Sequence, residues 1–125
     1  MIKNRHGISA GLERIEEKYI FIIKAYGKLN DEDYKLITPV FEDIMDSLDE
    51  KINLLFDASE FEGWEPKAAW DDFKLGIKYM DKFDKIAIYK GDSWLKIGAK
   101  ITDWFFPAKI KTFDSFEESI KWLKS

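Results

Sequence analysis

At 125 residues, 46% hydrophobic and 35% charged, the chain has the size and composition of one globular domain, residues 1–125, able to bury roughly two-thirds of its unfolded surface. It contains no cysteine, which excludes a disulfide framework, thiolate zinc sites and thiol catalysis, and fits a reducing, cytoplasmic setting. The net charge of −4 argues against a dedicated nucleic-acid binder. No apolar run approaches the ~20 residues of a membrane-spanning helix.

The opening Met1–His6 has no apolar stretch behind its basic residues, so no signal peptide is expected. Leu12 and Ile15 mark a short strand. Glu16-Glu17-Lys18 reads as a polar turn, and Tyr19–Tyr26 as a second strand ended by Gly27. Two strands joined by so few residues predict an antiparallel hairpin. Asn30 is placed as a helix N-cap, with Asp31, Glu32 and Asp33 in the first turn where the helix dipole favours carboxylates. Ile37, Val40, Phe41, Ile44 and Leu48 share one face of that helix, and Pro39 predicts a kink or a restart.

Ile52–Phe56 reads as a strand closed by Asp57, and Ala58–Glu65 as a loop leading to Pro66 at the first position of a second helix. Ala69, Phe73, Gly76, Ile77 and Met80 give that helix an apolar stripe. Lys85–Tyr89 is the next strand. Gly91-Asp92-Ser93 then opens a third helix faced by Trp94, Ile97, Gly98 and Ile101 and stopped before Pro107. Ile110–Phe113 is the last strand, and Asp114 with Glu117 forms a capping box for a fourth helix carrying Phe116, Ile120 and Leu123 inward. The order β-β-α-β-α-β-α-β-α predicts an α/β fold. Its mixed five-stranded sheet has an N-terminal antiparallel hairpin, is otherwise mostly parallel, and is covered by four helices.

Motifs for known chemistries fail on context. Gly7-Ile8-Ser9-Ala10-Gly11 spells G-x-S-x-G, but a nucleophile elbow needs an apolar strand before the serine and a helix after it. Here a strand follows, and the single histidine, His6, lies upstream. No catalytic residue is assigned. Gly27, Gly63 and Gly91 are isolated, so no phosphate-binding loop is present. Asp57, Glu60, Glu62 and Glu65 supply oxygens suited to magnesium or calcium, yet Asp57 and Ser59 fit better as caps of local amides; no metal and no cofactor is expected. Lys74, Lys78 and Lys82 recur every four residues among Asp71, Asp72, Asp81 and Asp84, as a solvated face does.

The aromatics carry more information: ten Phe, five Tyr and five Trp. Phe61, Trp64, Trp70, Phe73 and Trp104 fall in or beside the loops and helix ends around the third strand, where they can wall an apolar pocket with Asp57 and Ser59 at its mouth. Trp104-Phe105-Phe106 cannot all turn inward from one helix end. That triplet is a candidate for a subunit interface or for contact with a membrane surface.

The stretch Leu55-Phe56-Asp57-Ala58-Ser59-Glu60-Phe61-Glu62-Gly63-Trp64, followed by Ala68-Ala69-Trp70-Asp71-Asp72-Phe73-Lys74, resembles the SpoIIAA-like family of small bacterial proteins, which is related in fold to STAS domains and to the CRAL-TRIO lipid-binding fold. Phe83–Ile88 and the Phe106-Pro107-Ala108 turn add to the likeness, which covers nearly the whole chain. The resemblance implies a regulatory or ligand-binding module, not an enzyme. Anti-sigma antagonists of related fold switch through a phosphorylated serine in an Asp-Ser-Ser-Gly turn; the corresponding Glu62-Gly63-Trp64 has no hydroxyl, and Ser59 lies too early.

Three functions are therefore expected. The first is binding of a small nonpolar or amphipathic, lipid-like ligand among Phe61, Trp64, Trp70, Phe73 and Trp104. The second is a protein–protein module, either a homodimer or a partner switch lacking the phosphoacceptor. Peripheral membrane contact through Trp104, Phe105 and Phe106 beside Lys96, Lys100 and Lys109 is a third.

Overall fold

The computed structural model describes residues 6–90 and 109–125, apart from the side chains of Ala69, Asp72, Phe73, Gly76, Ile77 and Met80. Strand β1 (Gly7–Ile15) pairs antiparallel with β2 (Lys18–Leu29) from Gly7↔Tyr26 to Ile15↔Lys18. Glu16 and Glu17, at φ of 49° and 69°, form the two-residue turn, whose left-handed backbone matches the twist of the strands. Gly7–Gly11 is thus part of an edge strand, and Ser9 sits opposite Lys24, far from any elbow geometry.

Helix α1 (Asp31–Asp46) starts where expected. The Asn30 side chain accepts from the Asp33 N–H at 3.1 Å, and the Asp33 carboxylate accepts from the Asn30 N–H at 2.9 Å. The helix continues through Pro39 as a single element, with no restart there. Proline removes one N–H, which leaves the Lys35 carbonyl without its helical partner. Lys35 is exposed, so this loss falls on the solvent side of the helix.

The third strand departs most from expectation. β3 runs Ile52–Trp64, and the residues expected as the loop Ala58–Glu65 belong to it through Trp64. Asp57 does not close the strand, because β2 also extends past Gly27, and Tyr26–Leu29 pair with Glu60–Trp64. Register shifts at Lys24/Tyr26 and Gly27/Lys28 give β3 two bulges, and Gly27 and Gly63 take φ of 70° and 115° there. The bulges break the alternation of buried and exposed residues, which is why the stretch looks like a loop in sequence.

Helix α2 (Pro66–Tyr79) begins on Pro66, and a 3-10 turn (Met80–Lys82) leads into β4 (Phe83–Tyr89). β5 (Lys109–Phe113) and α3 (Phe116–Lys124) complete the described elements. α3 is capped by Ser115, whose Oγ accepts from the Glu118 N–H at 3.3 Å; the cap lies one residue beyond the expected Asp114. The helix expected between Ser93 and Phe106 lies outside the described residues, which hold three α-helices.

The sheet order is β1-β2-β3-β4-β5, with β2 through β5 parallel. One face packs against α1 and α2 through Phe21, Leu29, Phe41, Met45, Leu54 and Phe83. Phe41 stands at its centre, edge-on to Phe21 at 5.6 Å and to Tyr79 at 5.5 Å. The other face joins Ile20, Leu55 and Ala87 to Leu123 of α3. No helix among the described residues is long and apolar enough to cross a membrane.

Candidate functional site

Successive β3 residues point to opposite faces of the sheet. Leu55 faces α3, so Asp57 does too; Phe56 and Ala58 face α1 and α2. Asp57 is buried, and its Oδ1 accepts from the Ser59 N–H at 3.0 Å, an Asx turn that holds the first bulge. On the paired strand, Lys24 Nζ lies 2.9 Å from Glu60 Oε2 and 3.9 Å from Asp57 Oδ2. The hydrogen bond to Glu60, helped by the charge of Asp57, raises the Lys24 ammonium above the usual lysine range against the opposing effect of burial. Asp57 and Ser59 therefore shape the first bulge of β3, and Asp57 with Glu60 pairs a cation.

Phe61 and Trp64 lie on the opposite face. Phe61 is buried, edge-on to Phe56 at 5.8 Å and to Trp64 at 4.7 Å. The Trp64 indole N–H donates to the Tyr34 hydroxyl of α1 at 2.8 Å. A half-buried indole still favours such a partner, and here it ties the end of β3 to the first turns of α1. Trp70 stands apart from this cluster at 57% exposure on α2. The structure thus brings Phe61 and Trp64 together, sets Asp57 behind the sheet from them with the Ser59 amide bonded to it, and leaves Trp70 exposed on α2. The Phe73 side chain and Trp104, Phe105 and Phe106 lie outside the described residues.

The concavity of interest is a groove of about 550 Å³ between α1 and α2. Tyr34, Pro39 and Leu75 give it apolar surface, and charged residues from both helices line the rest. Asp31 Oδ2 lies 3.1 Å from Lys35 Nζ and 3.2 Å from Lys67 Nζ. A hydrogen bond from the Asp71 carboxyl, with those two lysines, lowers Asp31 to about 2. The same hydrogen bond, together with burial, raises Asp71 above the usual aspartate range, although Lys74 lies 3.8 Å away. Toward the other end, Lys78 pairs with Glu42, which holds the glutamate below its ordinary range. The Tyr79 hydroxyl donates to Glu42 at 3.2 Å; burial, then the nearby Asp46 charge, pushes this phenol up.

Sequence reasoning read Lys74 and Lys78 as a solvated stripe and Asp31 as a dipole partner. The structure engages Asp31 and Lys78 across the seam, with Lys67 and Glu42, whereas Lys74 pairs with Asp71 on its own helix. The signal was present as the spacing Asp31/Lys35 on one helix and Lys67/Asp71/Lys74/Lys78 on the next, but sequence does not say which flanks face each other. No group of three or more metal-ligating side chains occurs among the described residues.

The SpoIIAA-like family model matches residues 20–124. The chain belongs to the SpoIIAA-like family. A solved structure of an uncharacterized protein of the DUF3478 family from Shewanella loihica PV-4, described as having a SpoIIAA-like fold, is similar over 98% of both chains, with a TM-score of 0.85 and 35% identity. No curated protein matches. Within the SpoIIAA-like frame the mixed sheet and its antiparallel hairpin are as expected, and β3 ends on Gly63 and Trp64. Trp64 there is fastened to Tyr34.

Proposed function

We propose that this SpoIIAA-like chain is a non-enzymatic interaction module that docks a protein partner on its α1–α2 face. The observation that carries the reading is Trp70, 57% exposed on the helix whose neighbouring flank lines an open groove. A large exposed indole is costly to leave in water, and tryptophan is among the residues that anchor protein interfaces. The groove's charges alternate in sign, with Lys35, Lys67, Lys74 and Lys78 set among Asp31, Glu42 and Asp71. Mixed charges suit the polar rim of a protein interface. A phosphate backbone or an anionic bilayer would call for a single positive field.

The alternative, a nonpolar ligand enclosed by Phe61, Trp64, Trp70, Phe73 and Trp104, draws less support. Phe61 and Trp64 pack edge-on within the core, and Trp70 faces outward.

Site-specific photocrosslinking in producing cells tests the proposal. A photoreactive phenylalanine at position 70 is expected to capture one discrete protein, while the same group at Phe116, exposed at the start of α3, captures none. The purified pair should then bind with an affinity at least tenfold weaker for Trp70→Ala, about 1.4 kcal/mol. Equal capture at both positions, or unchanged affinity, removes the proposal; capture of the chain by itself identifies the partner as a second copy.

A further inference from the structure

Among the described residues two strands bound the sheet, β1 at one edge and β5 at the other. An edge strand presents N–H and C=O groups that no neighbour takes up. The two edges are guarded differently. β5 has five residues, two of them Lys109 and Lys111, the kind of charge that keeps an edge from pairing. β1 has nine, and Gly7, Ser9, Ala10 and Gly11 leave its first half small and uncharged. Beside it lies an apolar patch. Ile8 and Ala10 pack toward α1, so Leu12 and Arg14 face the same way by alternation. The groove takes Asp31, Lys35, Thr38 and Glu42 from the α2 side of α1, which leaves Leu36 and Val40 on the flank toward β1. Leu12 and Val40 are exposed, and Leu36 is 78% exposed. His6, one residue before β1, meets Asp33 on that flank at 3.4 Å, which sets the start of β1 beside the first turn of α1.

We propose that β1 is a dimer edge: two copies of the chain pair antiparallel through it about a dyad at Gly11, joining two five-stranded sheets into one. Gly11 is the middle residue of β1, so this register pairs the strand over its whole length, Gly7 against Ile15 at each end. The strand is self-complementary in that register. On the α1 side Leu12 meets Ala10 of the second copy, and Leu36 and Val40 of both copies approach the dyad. Glu13 falls opposite Ser9, and Arg14 opposite Ile8. A dyad at Glu13 or Arg14 would instead set like charges opposite one another, which destabilises a strand pair. Charge points to a second copy as well. Arg14 is exposed and pairs with no carboxylate among the described residues. Opposite Ile8 of the second copy, it comes beside the first turn of that copy's α1, which carries Asp31, Glu32 and Asp33, with Glu32 exposed. An unrelated extended peptide would gain the backbone hydrogen bonds of an added strand, but neither the Leu36 and Val40 contact nor this pairing of charges.

This edge lies on the far side of α1 from the groove assigned above to a partner, so the two surfaces are independent. The chain has no cysteine, and a Cβ at Gly11 meets nothing within 4 Å, so Gly11→Cys adds a single thiol without crowding the strand. Across the dyad that thiol faces its own copy, with Cβ atoms roughly 4.5–5.5 Å apart, near the span of a disulfide. Under mild oxidation Gly11→Cys is expected to form a covalent dimer, whereas Lys121→Cys, exposed on α3, stays monomeric. Sedimentation equilibrium of the parent chain should show a reversible dimer, weakened about tenfold or more by Leu12→Lys and unchanged by Trp70→Ala. Circular dichroism and the urea midpoint show whether Leu12→Lys keeps its fold; if it does not, Val40→Glu on α1 reads the same contact. A parent chain that is monomeric at every concentration, or a Gly11→Cys thiol that cross-links no faster than Lys121→Cys, overturns the proposal. So does a dimer that Trp70→Ala breaks and Leu12→Lys spares, which would put the second copy on the α1–α2 face.

Discussion

At the scale of single residues, Tyr34 and Trp64 show how the end of β3 is held. Tyr34→Phe removes one hydroxyl and leaves the Trp64 indole N–H without its acceptor. Urea denaturation should show a loss of about 1 kcal/mol, the cost of stranding a half-buried donor. The same change made in Trp64→Phe should cost much less, and equal losses in both backgrounds would show that the hydrogen bond contributes nothing. Phe41 offers a larger effect, because its ring meets Phe21, Tyr79 and Phe83 at the centre of the α1–α2 core. Phe41→Ala should cost about 3–5 kcal/mol; less than about 1 kcal/mol would mean the core closes over the gap. Some residues were legible because their chemistry is local. Asn30 caps, and Pro66 starts a helix, for reasons contained in neighbouring residues. Asp57 was half legible: its bond to the Ser59 amide is local, but the lysine beside it comes from a different strand.

The elements were read well where their periodicity is unbroken and poorly where a bulge interrupts it. β3 was cut to less than half its length in sequence because its pairing with β2 shifts twice after Asp57. Only the partner strand reveals that Ser59–Trp64 is extended. The β1–β2 turn was expected, but its strain was not. Glu17 sits at φ 69°, where a residue with a Cβ is disfavoured by about 1 kcal/mol or more. Glu17→Gly should therefore raise the denaturation midpoint, by about 0.5 kcal/mol after the greater freedom of the unfolded glycine is counted. No change, or a loss, would mean that the turn is not left-handed in solution. The C-terminal helix is fixed by polar contacts that no helical pattern encodes. Asn53 Nδ2 donates to the Leu123 carbonyl at 2.7 Å, while its Oδ1 accepts from the Lys85 N–H at 3.1 Å. Lys85 Nζ reaches Ser125 O at 2.7 Å. Such contacts satisfy carbonyls that a helix end leaves without partners.

For the whole molecule, the alternation of apolar and polar residues was enough to give a mixed sheet between helices, because burial of strand faces is a periodic property. The division of that sheet into an α1–α2 face and an α3 face was not. It sets where the candidate residues lie, since it puts Asp57 behind the sheet from Phe61 and Trp64, while Trp70 is exposed on α2. Among the described residues the aromatics thus separate into rings that hold the core and rings on the surface, Trp70 among them, and part of the charged stripe meets the neighbouring helix. What the module does then depends on whether that outer face meets another protein. Photocrosslinking from position 70, followed by binding of the purified pair, tests this most directly. One captured protein, bound at least tenfold more weakly by Trp70→Ala, is the predicted result. Capture no different from that at Phe116, or binding indifferent to the loss of the indole, would contradict it.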